Sequence, residues 1–244
     1  MKRFIILSFL FSLVFISCSY LGGKRIRGNG NIKTETRTTG QFNSVDVSSN
    51  IDVLVRQDSV TSVKIEADEN LLEYVQITVQ GGTLEIREEK GYNLKSSKGI
   101  KVYVSGPAFK NFEASGACDI YSENQINSNE PITINLSGSC DVKMDLKAPK
   151  VEVDMSGAGT ITLKGETKDF SVDGSGSTDV NCFGLMTENT DIEMSGAGDA
   201  EVFASLKLNV HVSGAADVKY KGNATVSQSV SGAGSVKKVE TPNP

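Results

Sequence analysis

Few side chains in this 244-residue sequence can do chemistry: four cysteines, one histidine and a set of carboxylates that recur at fixed places. Asp119, Asp141, Asp179, Asp199 and Asp217 each stand four residues after a serine that opens the unit Ser-Gly-x-x-[Asp/Thr/Ser]-aliphatic, and Asp154, Asp173 and Glu193 each stand two residues before one. Carboxylates repeated at one offset on neighbouring strands stack about 4.8 Å apart. Hard cations such as Ca²⁺ gather about six to eight oxygen ligands, so a cation- or ligand-binding face is one expectation. Thr160, Ser235, Asn135 and Ser229 interrupt the two columns and relieve repulsion without any ion. A solvated surface with turn-capping aspartates is therefore the other expectation, and no cofactor is required.

Cys118 and Cys140 occupy the same place, three residues after the serine, in consecutive units. That puts their Cα atoms near the strand spacing, within the reach of a disulfide, and an exported chain meets an oxidising compartment. The alternative is two small side chains filling a tight interior column. Cys182 falls at an inward place with no mate, and is expected to be a lone buried thiol. His211, the only histidine, falls at an outward place. No second histidine completes a metal site with it, and no cysteine pair has zinc spacing. Ser213 adjoins it in sequence, but a serine recurring in seven units is better explained by the fold than by a catalytic triad. Gly28-Asn29-Gly30 is not followed by a helical pattern, so it reads as linker rather than phosphate loop. Tyr92, Tyr103 and Tyr121 are either sugar-stacking surface or half-buried aromatics.

The fourth cysteine, Cys18, ends an apolar run from Phe4 to Ile16 that follows Lys2 and Arg3. Two cations, an apolar stretch and small residues make a secretory leader, here 1–17, too short to remain as a membrane span of about 20 residues. Phe15-Ile16-Ser17-Cys18 resembles a bacterial lipobox, which implies an acyl-modified Cys18 as the new N-terminus, with 18–30 as a flexible linker. Several acyl chains, at about 0.8 kcal/mol per buried CH₂, hold a protein firmly on a bilayer. Ser19 argues for the outer membrane, and the lack of an acidic run over Tyr20 to Arg27 favours the periplasmic side over the surface. Loss of the leader leaves 23 basic against 30 acidic residues, a net charge of −7. That balance argues against nucleic acid as partner.

The elements that must position these residues follow from the repeat. Units open at Ser115, Ser137, Ser156, Ser175, Ser195, Ser213 and Ser231, in steps of 18–22 residues. Places at odd offsets from the serine are apolar or small, and those at even offsets are polar. Phe112, Ile134, Val153, Val172, Ile192, Val210 and, polar in the last unit alone, Gln228 share one inward column, whereas Glu113, Asn135, Asp154, Asp173, Glu193, His211 and Ser229 share an outward one. Period-2 alternation marks strands with one buried face. A unit this short suits one coil of a single-chain right-handed parallel β-helix, or β-solenoid, since parallel crossovers are overwhelmingly right-handed. Regular coils are expected over 113–240, irregular N-terminal β coils over 31–112 and a tail over 241–244. Gly81-Gly82 predicts a hairpin or tight corner, and Asp68 to Leu72 a single helical turn.

Phe42-Asn43-Ser44-Val45-Asp46-Val47, the Asp68-Glu69-Asn70 turn, Gly81-Gly82-Thr83-Leu84-Glu85-Ile86 and the Ser-Gly-Ala-Gly-Asp units together resemble the putative auto-transporter adhesin, head GIN domain family, from about Phe42 to Val239. The resemblance implies a right-handed β-helix and an envelope location, and brings no catalytic residues. The expectation is a non-enzymatic envelope lipoprotein that binds a glycan or protein ligand or serves as a structural module. A polysaccharide-processing enzyme on a β-helix is the alternative from architecture, and a self-associating scaffold the alternative from open strand edges.

Overall fold

The structure, a computed structural model, describes residues 23–240. The leader over 1–17, Cys18 and the tail over 241–244 lie outside the described residues. Within them, β1 (Lys24–Arg27) and β8 (Tyr92–Lys95) make a small parallel pair. The linker expected over 18–30 therefore gives way to ordered strand at Lys24.

Fourteen strands form the main sheet. Those of the N-terminal half are β2 (Ile32–Arg37), β3 (Ser44–Ser49), β4 (Asp52–Gln57), β5 (Ser62–Asp68), β6 (Val75–Gln80), β7 (Thr83–Glu88), β9 (Lys101–Gly106) and β10 (Asn111–Gly116). The rest are β11 (Asp119–Asn127), β12 (Ile132–Gly138), β13 (Asp141–Phe203), β14 (Lys207–Lys221), β15 (Thr225–Gly232) and β16 (Ser235–Lys238). A 3₁₀ helix, Glu69–Tyr74, joins β5 to β6.

The sheet corrects the expected right-handed parallel β-solenoid. Its strands run in mixed orientation: β2 with β5, β5 with β9, and β6 with β7 are antiparallel. The strand path runs from β2 through β13 round to β6, so the sheet curls into a nearly closed barrel about one core. The physical reason lies in 31–112. Gly81 and Gly82, with φ of 58° and 83°, make the two-residue turn that sends β7 back along β6. The 3₁₀ helix buries Leu71 and Leu72 in the core, and Arg37 Nη2 donates to the Leu72 carbonyl at 2.8 Å.

In the Ser-Gly half the strands pair parallel, each serine beside the serine of the next unit: Ser115 with Ser137, Ser137 with Ser156, Ser195 with Ser213, and Ser213 with Ser231. The inward columns are buried. Phe112, Ile134, Val153, Val172, Ile192 and Val210 are each at most 3% exposed. The glycine after each serine turns the chain where no side chain fits: Gly138 has φ 93°, and a Cβ there would lie 2.5 Å from the Gly116 carbonyl oxygen. Among the described residues no helix is long and apolar enough to cross a membrane.

Candidate functional site

The repeat extends further upstream than its signature. β10 pairs with β3 so that Ser115 faces Ser48 and Gly116 faces Ser49. Val45-Asp46-Val47-Ser48-Ser49 is thus an earlier unit, with Asp46 and Asp52 at the two acidic places. Ser49 takes the corner conformation, φ 84°, that glycine takes elsewhere. Because serine replaces that glycine, and 67 residues separate Ser48 from Ser115, the search for Ser-Gly misses it. A search for the alternation Val-Asp-Val-Ser would have found it.

The two acidic columns do different work. Four of the five carboxylates after the corner, all but Asp199, reach along the sheet to the next unit. Asp119 Oδ1 accepts from the Asp141 amide at 3.3 Å, Asp141 Oδ1 from the Thr160 amide at 2.8 Å, and Asp179 Oδ1 from the Asp199 amide at 3.1 Å. Asp217 Oδ1 accepts from the Ser235 hydroxyl at 2.6 Å, which holds the Asp217 carboxyl below its usual range. This column ties strand to strand. Tyr121 joins it, its hydroxyl donating to Asp119 Oδ2 at 2.7 Å, and burial together with that bond pushes its hydroxyl up to about 12.

The carboxylates before the corner face open grooves. Asp46, Glu113, Asp154 and Asp173 line a groove of about 550 Å³ with Ser115, Ser137, Ser156 and Ser175. A second of about 640 Å³ continues it past Asp154, Asp173, Asp191, Glu193 and His211 to Ser229. The outer sheet face thus carries a row of carboxylates flanked by hydroxyls and amides. Burial, then Glu113 and Glu85, raise the Asp46 carboxyl above its ordinary value, and burial, then Asp119, raise Asp52.

Of the eight carboxylates singled out in the sequence, Asp154, Asp173 and Glu193 share the grooves, while Asp119, Asp141, Asp179, Asp199 and Asp217 lie beyond the corner. Among the described residues no three His, Cys, Asp or Glu side chains come together as a metal-ligand set. His211 is exposed and sits beside Glu193. Cys118 and Cys140 are neighbours in the core with sulfurs 3.2 Å apart, and here they are free thiols, not the disulfide. A bonded pair would bring the sulfurs to about 2.05 Å. Burial and the Cys140 thiol push Cys118 up, and burial pushes the lone Cys182 up to about 12. Both thiols stay protonated, in surroundings that suit packing rather than nucleophilic attack.

One buried carboxylate was not legible. Asp68, fully buried, accepts from the Gly30 amide at 2.7 Å, the Ser96 hydroxyl at 2.7 Å, and the Ser97 amide and hydroxyl at 2.9 and 2.8 Å. Burial alone would raise its carboxyl. The four donors outweigh that and hold it well below the carboxylate range. Its partners are 28–38 residues away, and no local pattern announces them. Tyr92 packs on Tyr74 with ring centroids 4.7 Å apart.

No curated protein is significantly similar to the chain. Among solved structures, a putative adhesin from Bacteroides fragilis superposes with a TM-score of 0.81 at 22% identity, covering 88% of this chain and all of that one. A putative adhesin from Parabacteroides distasonis gives 0.69 at 27% identity over 88% of this chain and all of its own. A putative lipid binding protein from the same species gives 0.71 at 24% identity over 89% of this chain and all of its own. The model of the family described as "Putative auto-transporter adhesin, head GIN domain" matches residues 41–224, and the chain belongs to that family.

Proposed function

We propose that this protein is a non-enzymatic binding module of the bacterial cell envelope, tethered through acylated Cys18, that engages its ligand on the groove-lined carboxylate and serine face. The observation that carries this reading is the division of labour between the columns. Four of the carboxylates after the corner, Asp119, Asp141, Asp179 and Asp217, are engaged in strand-to-strand bonds, whereas the set before the corner stands over two continuous grooves with hydroxyls beside it. Such a face suits a partner rich in amines, guanidinium groups or hydroxyls, because fixed carboxylates aligned along a groove steer cations and accept hydrogen bonds. The family's adhesin description supports a surface-associated binding role. The leader and the lipobox-like Cys18 support an envelope address.

The test is a glycan and matrix-protein array probed with the chain from residue 18 carrying Cys18→Ser, in calcium and in chelator. Saturable binding, weakened in the double variant Asp154→Ala/Asp173→Ala and retained in Asp179→Ala, is the expected outcome. A blank array, or binding indifferent to Asp154 and Asp173, contradicts the assignment of the face.

A further inference from the structure

The last strand layer is built unlike those before it. β15 and β16 pair only with β14, and among the described residues no strand lies on the far edge of β15. Open edges recruit other strands, and proteins usually blunt them with charge or proline. β15 reads Thr-Val-Ser-Gln-Ser-Val-Ser-Gly and has neither. Charge is withdrawn along β15, where Thr225 follows Lys207 and Ser229 follows Glu193 and His211, while β16 beside it keeps Lys237 and Lys238. The inward places are left open as well. Val230 is 38% exposed, and Val226 is only partly buried against the core.

We propose that the β15 edge is a homophilic docking edge, on which a second copy of this chain lays its own β15 antiparallel, joining two molecules tip to tip. A two-fold contact sets each residue against the same patch of its mate. A strand without charge tolerates that. An acidic column carried through to position 229 would have set carboxylates against one another. Gln228 lies near the middle of β15, exposed, where its amide offers a donor and an acceptor across the two-fold axis. Main-chain bonds supply the pairing, and Val226 and Val230 gain cover. The inference stands whether or not the groove face binds a ligand.

Sedimentation velocity over a wide concentration range, on the chain from residue 18 with Cys18→Ser, tests it. A reversible monomer–dimer equilibrium is expected, weakened roughly tenfold or more by Val230→Lys in β15, and unchanged by Thr78→Lys in edge strand β6. Far-UV circular dichroism checks that each variant is folded, and Ser229→Asp places a charge on the same strand if Val230→Lys is not. A strict monomer at every concentration overturns the proposal. So does a dimer that Thr78→Lys weakens and the β15 variants leave intact, or a monomer whose β15 pairs only with an extended strand of another protein.

Discussion

The two ends of the barrel close in opposite ways. At the N-terminal end the chain folds back on itself: β2 and β6 run antiparallel to their neighbours, the 3₁₀ helix drives Leu71 and Leu72 into the core, and Asp68 draws Gly30, Ser96 and Ser97 together. An aromatic cluster of Phe42, Phe109 and Phe112 fills the core in this half. At the C-terminal end no strand among the described residues folds back, and β15 carries an uncharged open edge. Order in the repeat half is propagated by columns, each unit resting on the one before. Order in the other half depends on single residues without substitutes. The first kind tolerates change in any one exposed carboxylate, and the second does not.

The sharpest way to break this comparison is Asp68→Ala. Removing a buried acceptor that satisfies four donors should cost about 3 kcal/mol, read as a lower urea midpoint, whereas Asp154→Ala in the groove should stay within about 0.5 kcal/mol. The pH dependence carries the same signature. Because the folded carboxyl of Asp68 is lowered from 3.8, its contribution is present above that value and lost as pH falls towards the lowered one. Asp46 and Asp52, raised in the fold, act in the other sense: stability is gained as pH falls from their raised values towards 3.8. Acid unfolding of Asp68→Ala should therefore be shallower than that of the parent.

Next in size is Gly138→Ala. Its Cβ would press on the Gly116 carbonyl, in a conformation that side chains rarely adopt, for an expected loss of about 2 kcal/mol. Gly40, with nothing within 4 Å of its added Cβ, should accept alanine within about 0.5 kcal/mol. Equal losses at both glycines by urea unfolding would remove the corner from the account. Smaller still, Ser49→Gly should stabilise by about 0.5–1 kcal/mol, since Ser49 holds a positive φ that glycine adopts freely. The smallest effect is expected for Asp52→Asn, a gain below about 0.5 kcal/mol at neutral pH that disappears in acid, read from thermal midpoints at two pH values.

The sequence made the strands of the repeat half readable, because period-2 burial is written into each unit: Val151, Val153 and Met155 are buried while Asp154 and Ser156 between and beside them are exposed. Gly81-Gly82 and the turn after Asp68 were legible for the same reason, as local backbone chemistry. The barrel's mixed strand orientation was not, since periodicity reports which face is buried and not which way the neighbouring strand runs. Nor was the clamp at Asp68, whose donors converge from two distant segments, Gly30 and Ser96-Ser97, or the unit at Ser48, where Ser49 stands for glycine. The site was half legible. The columns could be read, but which column lies over a groove and which is spent on neighbouring amides depends on where the sheet bends.

Amide hydrogen exchange at low and high protein concentration tests the unequal ends most directly. The account predicts slow exchange in β5 and β7 at both concentrations, and exchange at Val226, Gln228 and Val230 that is fast when dilute and slowed when concentrated. Equal protection of β15 and β7 in dilute solution, or exchange in β15 that ignores concentration, would contradict it.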